Sequence, residues 1–172
     1  MSRQDALRES RAAPPARRVL LLTSEHLADA NEVPEPIRPL IAEAEDVYVL
    51  APALTSWLQW VATDVDGARV AADDRLHRVF DHMHADGLAP HGAVADEDQV
   101  VAIADALLEF DADLIVLRLH DPGGQHTNWQ EHRLAERVRS HFDVPAIAFY
   151  FDEEGHVVGR EDAPLRARRG RA

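Results

Sequence analysis

The sequence predicts an α/β protein with a doubly wound, five-stranded parallel sheet, and two observations support this fold class. Short apolar runs of strand length alternate along the chain with segments whose apolar residues recur at helical spacing. The apolar runs are continuous, as in residues 19–22, and strands buried on both faces of a parallel sheet have this pattern. Strands that alternate with helices imply parallel pairing through right-handed crossovers, with helices on both sides in three layers.

The five predicted strands differ in strength. The fourth is the strongest because Leu-Ile-Val-Leu forms its centre. The third is the weakest because Pro90 and Gly92 interrupt it, which favours an edge position in the sheet. The predicted strands cover residues 19–23, 46–52, 88–95, 113–119 and 144–150.

Four helices are predicted between these strands. The first is short, because Pro36 and Pro39 are tolerated only in a first turn. Residues 96–98 are acidic and cap the third helix, and Asn128 caps the fourth. The helices cover residues 36–45, from Asp64 or Asp66 to about 84, from 98 to about 108, and 128–141. The inward apolar stripes are Val70, Leu76, Val79, Phe80 and Met83 in the second helix, and Val100, Ile103, Ala104, Leu107 and Leu108 in the third.

The chain of 172 residues fits one domain, which we place at residues 18–159. Residues 152–155 resemble a hairpin turn that leads into a short segment at 156–158. The Arg-rich ends, residues 1–17 and 160–172, are expected to be disordered tails.

Composition excludes several kinds of chemistry. The chain has no Cys and no Lys, which removes thiol nucleophiles, thiolate metal sites, Schiff-base lysines and a Walker-type phosphate lysine. Residues 19–159 hold 8 Arg against 27 acidic residues, and such a surface repels nucleic acid. No apolar run has the length of a membrane helix or a signal peptide, so we expect a cytoplasmic protein.

A ligand of a doubly wound sheet binds beyond the carboxyl ends of the strands. The loop after the fourth strand contains two glycines ahead of a helix start, which suits a phosphate, although the same residues also make an ordinary turn. Trp57, Trp60 and Trp129 follow strand ends on this side, where they either stack on a flat base or close the core. The candidate ligand-binding residues are Thr23, Ser24, Ala51, Asp96, His120, Gly123, Gly124, Asn128 and Trp129.

Two kinds of enzyme remain as alternatives. His120, His126 and Asp121 suit a divalent metal if the loop brings them together. Ser24 and His120 end two strands that we expect to be neighbours, and Asp96 or Asp121 then orients the histidine as in a hydrolase triad. Loop spacing is weak support for the metal site, and the chain has no nucleophile-elbow sequence. We therefore assign no catalytic residue and no metal ligand.

Five stretches together carry a family resemblance: RRVLLLTSE, DVYVLAPAL, WVATDVDGARVAADDRL, GAVADEDQVVAIADALLEFDADLIVLRLH and NWQEHRLAERVRSHFDVPAIAF. Over about residues 18–150 the chain resembles the universal stress protein family, and most closely its divergent members from GC-rich bacteria. The resemblance implies an adenine-nucleotide alpha-hydrolase-like fold with the strand order 3-2-1-4-5. It also implies a homodimer, which in this family often forms through the last strand.

In the ATP-binding branch of that family, a phosphate motif follows the fourth strand: Gly, two residues, Gly, nine residues, Gly, then Ser or Thr. Here Gly123 and Gly124 are adjacent, and no Gly-Ser or Gly-Thr follows them. The first strand ends in Thr23-Ser24-Glu25, where the family usually has an Asp at the adenine site. The resemblance thus implies ATP or another adenine nucleotide as ligand, at a site that has weakened or been lost.

These observations lead to one expected function and two alternatives. We expect a non-catalytic regulatory or binding module of the stress response, which forms a homodimer through an apolar fifth strand at the sheet edge. The first alternative is a small metal-assisted enzyme that uses the His120–His126 loop. The second is a ligand-free structural domain that binds a protein partner.

Overall fold

The computed structural model describes residues 18–23, 33–52, 65–95, 98–123, 131 and 133–162. These residues form an α/β fold around one six-stranded sheet, so the predicted fold class of helices around a mostly parallel sheet is confirmed. The first five strands run parallel and the sixth is antiparallel to the fifth. From edge to edge the order is β3-β2-β1-β4-β5-β6. The strands are β1 (Arg18–Leu22), β2 (Asp46–Pro52), β3 (His91–Ala95), β4 (Leu114–His120), β5 (Ala146–Phe151) and β6 (Val157–Asp162).

The sixth strand corrects the predicted count of five. A tight turn produces it: the Asp152 carboxylate accepts hydrogen bonds from the backbone N–H groups of Glu154 and His156, at 3.1 and 2.7 Å. Gly155 adopts the left-handed φ of 84° that this turn requires. The strand then continues to Asp162, past residue 159, where we placed the end of the domain. The prediction that the fifth strand lies at the sheet edge is wrong, because β6 pairs with it.

In the described parts of the chain, four helices cover the two faces of the sheet. Buried apolar side chains from α2 and from the segment around α1 pack with one set of alternating strand residues, among them Leu21, Val49 and Val116. Side chains from α3 and α4 pack with the other set, among them Leu20 and Leu117. The helices are α1 (Arg38–Ala42), α2 (Val65–Ala85), α3 (Gln99–Glu109) and α4 (Leu134–His141).

The buried apolar faces of α2 and α3 are narrower than predicted. Val70 of α2 is 61% exposed and Leu108 of α3 is 86% exposed, so neither faces the core. The predicted acidic cap of α3 is confirmed, since the Asp98 carboxylate accepts hydrogen bonds from the amides of Val100 and Val101. Packing against a sheet explains the narrower faces, because a helix that packs on one side only buries a stripe about 100° wide.

The start of α4 and the end of β4 also differ from prediction. The described helix begins at Leu134, after Arg133, whose left-handed φ of 55° prevents the helical hydrogen-bonding pattern from extending further back. Asn128, the predicted cap, lies outside the described residues. His120, which we assigned to the loop, is the last residue of β4.

The edge position predicted for β3 is confirmed. Its Gly92 lies so close to β2 that a Cβ atom there would stand 1.9 Å from the Val49 carbonyl oxygen. A glycine is therefore required for this close pairing of β3 with β2.

None of the helices in the described parts of the chain is both long and apolar enough to span a membrane. The predicted tail 1–17 lies outside the described residues, as do residues 163–172 of the predicted tail 160–172; residues 160–162 belong to β6 instead.

Candidate functional site

The order in which strands are added to the sheet reverses at β1. It proceeds from β1 through β2 to β3 at one edge, and then crosses to β4 on the other side of β1. Leu22, the last residue of β1, pairs with Leu50 of β2 and with Leu117 of β4. In open α/β sheets, ligands bind beyond the carboxyl ends of the strands at such a switch point.

Two of the sequence-predicted residues on β1 and β2 have structural roles. Thr23 is buried and donates its backbone N–H to the Leu50 carbonyl oxygen at 3.0 Å, which extends the pairing of β1 with β2. Its hydroxyl lies 3.5 Å from the same oxygen. Ala51 is completely buried in the core beneath α2. Thr23 therefore borders the switch point, whereas the Ala51 side chain belongs to the core.

A small, mostly apolar recess opens beside Thr23. One cation, Arg118 of β4, lines it at the level where β1 ends. The remaining walls come from β1, from the segment that leads into α1, and from α2. They are Leu21, Thr23, Val33, Pro34, Ile37 and Val79.

Arg118 is a functional candidate that sequence reasoning missed. Only 5% of its surface is exposed, and its guanidinium carbon lies 5.2 Å from the centre of the Phe151 ring. A desolvated contact of this kind contributes about 2 kcal/mol. The signal was present in the sequence, because an Arg interrupts an otherwise apolar strand that is buried on both faces. Buried cations of this kind favour anions nearby.

The second missed residue is Glu131, which holds His120 at the end of β4. The Glu131 carboxylate accepts a hydrogen bond from the backbone N–H of His120 at 2.8 Å. The same carboxylate lies 3.0 and 3.2 Å from the Nδ1 atom of the His120 ring. Both side chains are about 95% buried. A doubly bonded, buried carboxylate fixes the position of the histidine and ties residue 131 to the strand end.

The direction of the His120 amide places this carboxylate at the switch point. The N–H groups of Ile115 and Asp121 point to β5, where they donate to the carbonyl oxygens of Pro145 and Phe151, both at 2.8 Å. Successive amides of a strand point to opposite sides, so the N–H of His120 points to the β1 side. The pairing of β1 with β4 has already ended there, at Leu22 and Leu117. The Glu131 carboxylate therefore lies on the β1 side of β4, beyond the last paired residues.

The loop after β4 begins with a local turn. The Asp121 carboxylate accepts a hydrogen bond from the backbone N–H of Gly123 at 3.1 Å, which is the ordinary turn chemistry of Asp. Gly123 itself is exposed, and a Cβ atom there would find its nearest neighbour at 3.6 Å. The alternative of an ordinary turn therefore accounts for the described part of this loop.

The two enzyme alternatives receive no further support from the described residues. Within those residues, no group of three His, Asp or Glu side chains is arranged to hold a metal ion. The carboxylate that bonds the His120 ring is Glu131, where we had expected Asp96 or Asp121. The other candidates lie outside the described residues: Ser24, Asp96, Gly124, His126, Asn128, Trp129, and with them Trp57 and Trp60.

No protein-family model matches the chain, and a search of curated proteins finds no match either.

Proposed function

We propose that this chain is a non-catalytic binding module of the universal stress protein type, which holds a small anionic, nucleotide-like ligand at the β1–β4 switch point. The observation that carries the proposal is the burial of Arg118 in a recess beside the carboxyl end of β1. A guanidinium with little contact with water attracts an anionic group more strongly than an exposed one does. The recess itself has room for about one water molecule, so we place the ligand over its mouth and not within it.

Burying a guanidinium costs several kcal/mol unless partners compensate it, and the ring of Phe151 is one such partner of Arg118. Arg118 directly follows Leu117, where the pairing of β4 with β1 ends, so its charge borders the switch point. A ligand anion there would add to the contacts that Arg118 already makes. The sequence resemblance supports the same position for a nucleotide.

The proposal is tested by the thermal stability of the purified protein with adenosine, AMP, ADP and ATP. We expect at least one of them to raise the Tm of the wild type, and Arg118→Met to abolish that rise. Methionine keeps the length and apolar stem of arginine, so the core stays filled. If none of the four compounds shifts the wild-type Tm, a ligand-free interaction domain replaces the proposal.

Arg160→Met is the matched control. Arg160 lies over Phe149 at 5.4 Å, nearly the geometry of Arg118 over Phe151, but on the exposed β6. This variant loses a similar aromatic contact at a distance from the switch point. It should retain the ligand-induced rise in Tm. Loss of the rise in both variants would mean that the effect of Arg118→Met is not local.

We further propose that the module forms a homodimer. The contact lies at β6, whereas the sequence predicted β5. Both edges of β5 are paired, so among the described strands β6 is the last one on this side of the sheet. Val158 of β6 is 52% exposed and is the apolar side chain that such a contact would cover.

Sedimentation velocity at micromolar concentration tests the homodimer. We expect twice the 19.1 kDa chain mass for the wild type. Val158→Lys should shift the equilibrium towards monomer, because charged residues oppose strand pairing at an edge. A wild-type monomer at these concentrations contradicts the homodimer and leaves the ligand proposal unaffected.

A further inference from the structure

The position of Glu131 restricts which anions the switch point accepts. A ligand phosphate in a doubly wound sheet is held by backbone N–H groups beyond the strand ends. At the end of β4, the N–H group that points to the β1 side is that of His120, and the Glu131 carboxylate already accepts its hydrogen bond. A phosphate that used this N–H would have to displace a buried carboxylate, or lie beside it.

The charges around the end of β4 lead to the same restriction. The described cations on this side are Arg118, in the recess, and Arg75, a buried residue of α2 one helical turn before Val79 of the recess wall. The described anions are Glu131 and Asp121, which stand on either side of the loop after β4. These four described side chains carry no net charge. A ligand with several negative charges therefore gains no net attraction from them.

We propose that Glu131 is a specificity-determining residue that limits the ligand to one or two negative charges, so that the module accepts a nucleoside monophosphate and rejects the triphosphate. This inference rests on the proposed function, since it names the ligand class of the same site. The Glu131 carboxylate takes the place of an anion by bonding the His120 amide from within the chain. The anionic group of the ligand then pairs with Arg118 and not with the His120 amide.

The restriction follows from the energy of like charges in a partly buried site. Two negative charges a few ångströms apart near a protein surface repel each other strongly enough to lower affinity about tenfold or more. Neutral glutamine at position 131 keeps an oxygen that accepts the His120 N–H but removes the charge. The variant Glu131→Gln should therefore bind triphosphates better while the fold is retained.

Calorimetric titration with adenosine, AMP, ADP and ATP, in buffer with a chelator to remove divalent cations, tests this inference. For the wild type we expect the Kd to rise about tenfold or more from AMP to ATP. For Glu131→Gln we expect that ratio to fall to about threefold or less. Glu136→Gln is the matched control, because Glu136 is an exposed carboxylate of α4 that pairs with Arg133, and it should leave the wild-type ratio unchanged.

The outcomes separate the two proposals. Wild-type protein that binds ATP as tightly as AMP, with dependence on Arg118, overturns the inference and leaves the proposed function in place. A wild-type preference for AMP that persists in Glu131→Gln also overturns it, because another group then sets the preference. If neither wild type nor Glu131→Gln binds any of the four compounds, the proposed function fails and the inference falls with it. Should Glu131→Gln not fold, a wild type that binds ATP as tightly as AMP still overturns the inference.

Discussion

The Glu131 carboxylate accepts hydrogen bonds from both the backbone amide and the ring of His120, a residue eleven positions earlier in the chain. The two side chains are almost completely buried at the carboxyl end of β4. The pair thereby links residue 131, near the start of α4, to the last residue of β4. It also lies on the β1 side of β4, beyond the last described pair of these two strands.

Replacement of Glu131 should reveal how much this pair stabilises the fold. Glu131→Ala leaves two buried donors of His120 without their acceptor, and each unsatisfied donor costs about 1–3 kcal/mol. We expect the free energy of unfolding to fall by roughly 2–5 kcal/mol, and by less for Glu131→Gln, which keeps an acceptor oxygen. Urea denaturation measures both. Glu136→Ala, which removes an exposed ion pair, should change stability by about 0–1 kcal/mol; an equally small effect of Glu131→Ala would contradict the structural role.

Gly92 should not tolerate even a methyl group. In Gly92→Ala, the new Cβ atom would stand 1.9 Å from the Val49 carbonyl oxygen, and backbone of a paired strand cannot move aside as a flexible side chain does. We expect a loss of more than about 2 kcal/mol in the free energy of unfolding, the range of severe overpacking. Gly123→Ala is the control, since its nearest neighbour is 3.6 Å away. Similar denaturation midpoints for the two variants would show that β3 adapts without cost.

Ile103 and Leu108 of α3 should differ sharply, although both belong to the stripe predicted from sequence. Ile103 is completely buried and Leu108 is 86% exposed. Ile103→Ala should lower the free energy of unfolding by about 2–5 kcal/mol through loss of burial and creation of a cavity. Leu108→Ala should stay within about 0.5 kcal/mol of wild type. A large loss for Leu108→Ala would indicate that its face is covered in solution, as in an oligomer.

The hydroxyl of Tyr150 should ionise only at strongly alkaline pH. Burial, helped by its hydrogen bond to Glu161 at 3.0 Å, raises the pKa of Tyr150 to about 12. The pKa in the folded state lies above the value of about 10 in the unfolded chain. Tyr150 therefore stabilises the fold fully below about pH 10, and this contribution is lost as the pH rises towards 12.

Absorbance of tyrosinate during a pH titration measures this shift, with circular dichroism to verify that the protein is folded. The chain has two tyrosines, and burial also raises the pKa of Tyr48. The wild type should thus show little tyrosinate at pH 10. Tyr150→Phe should remove the transition near pH 12 and leave that of Tyr48. Half of the total tyrosinate signal at pH 10 in the folded protein is the result that would refute the assignment.

The local elements of the fold follow from the sequence. Continuous apolar runs identified β1, β2, β4 and β5, since a strand buried on both faces can expose no polar side chain along its centre. Helical spacing of apolar residues identified α2 and α3, and the acidic turn at 96–98 identified the α3 cap. The hairpin after β5 was visible in its turn residues, but its strand, with polar residues at alternate positions, was predicted too short.

The candidate site followed from the sequence only in its location. The switch point is a property of strand order, and Thr23 and His120 were recognised because they end strands. Glu131 was not recognised as a partner of His120, because sequence spacing carries no information on which residue returns to a strand end. Leu108 and Ile103 were indistinguishable for a related reason: periodicity defines a face, but the neighbouring element determines how much of that face is covered.

By itself, the sequence determined the α/β class, the position of most strands and helices, and the absence of thiol and lysine chemistry. Only the tertiary structure decided that β6 covers β5, that Arg118 borders a recess and that Glu131 bonds the end of β4. Local patterns depend on the alternation of apolar and polar residues within one element, which a single segment contains. The contacts of Arg118 and Glu131 depend on how separate segments cross in space, and this is fixed only when both faces of the sheet are packed.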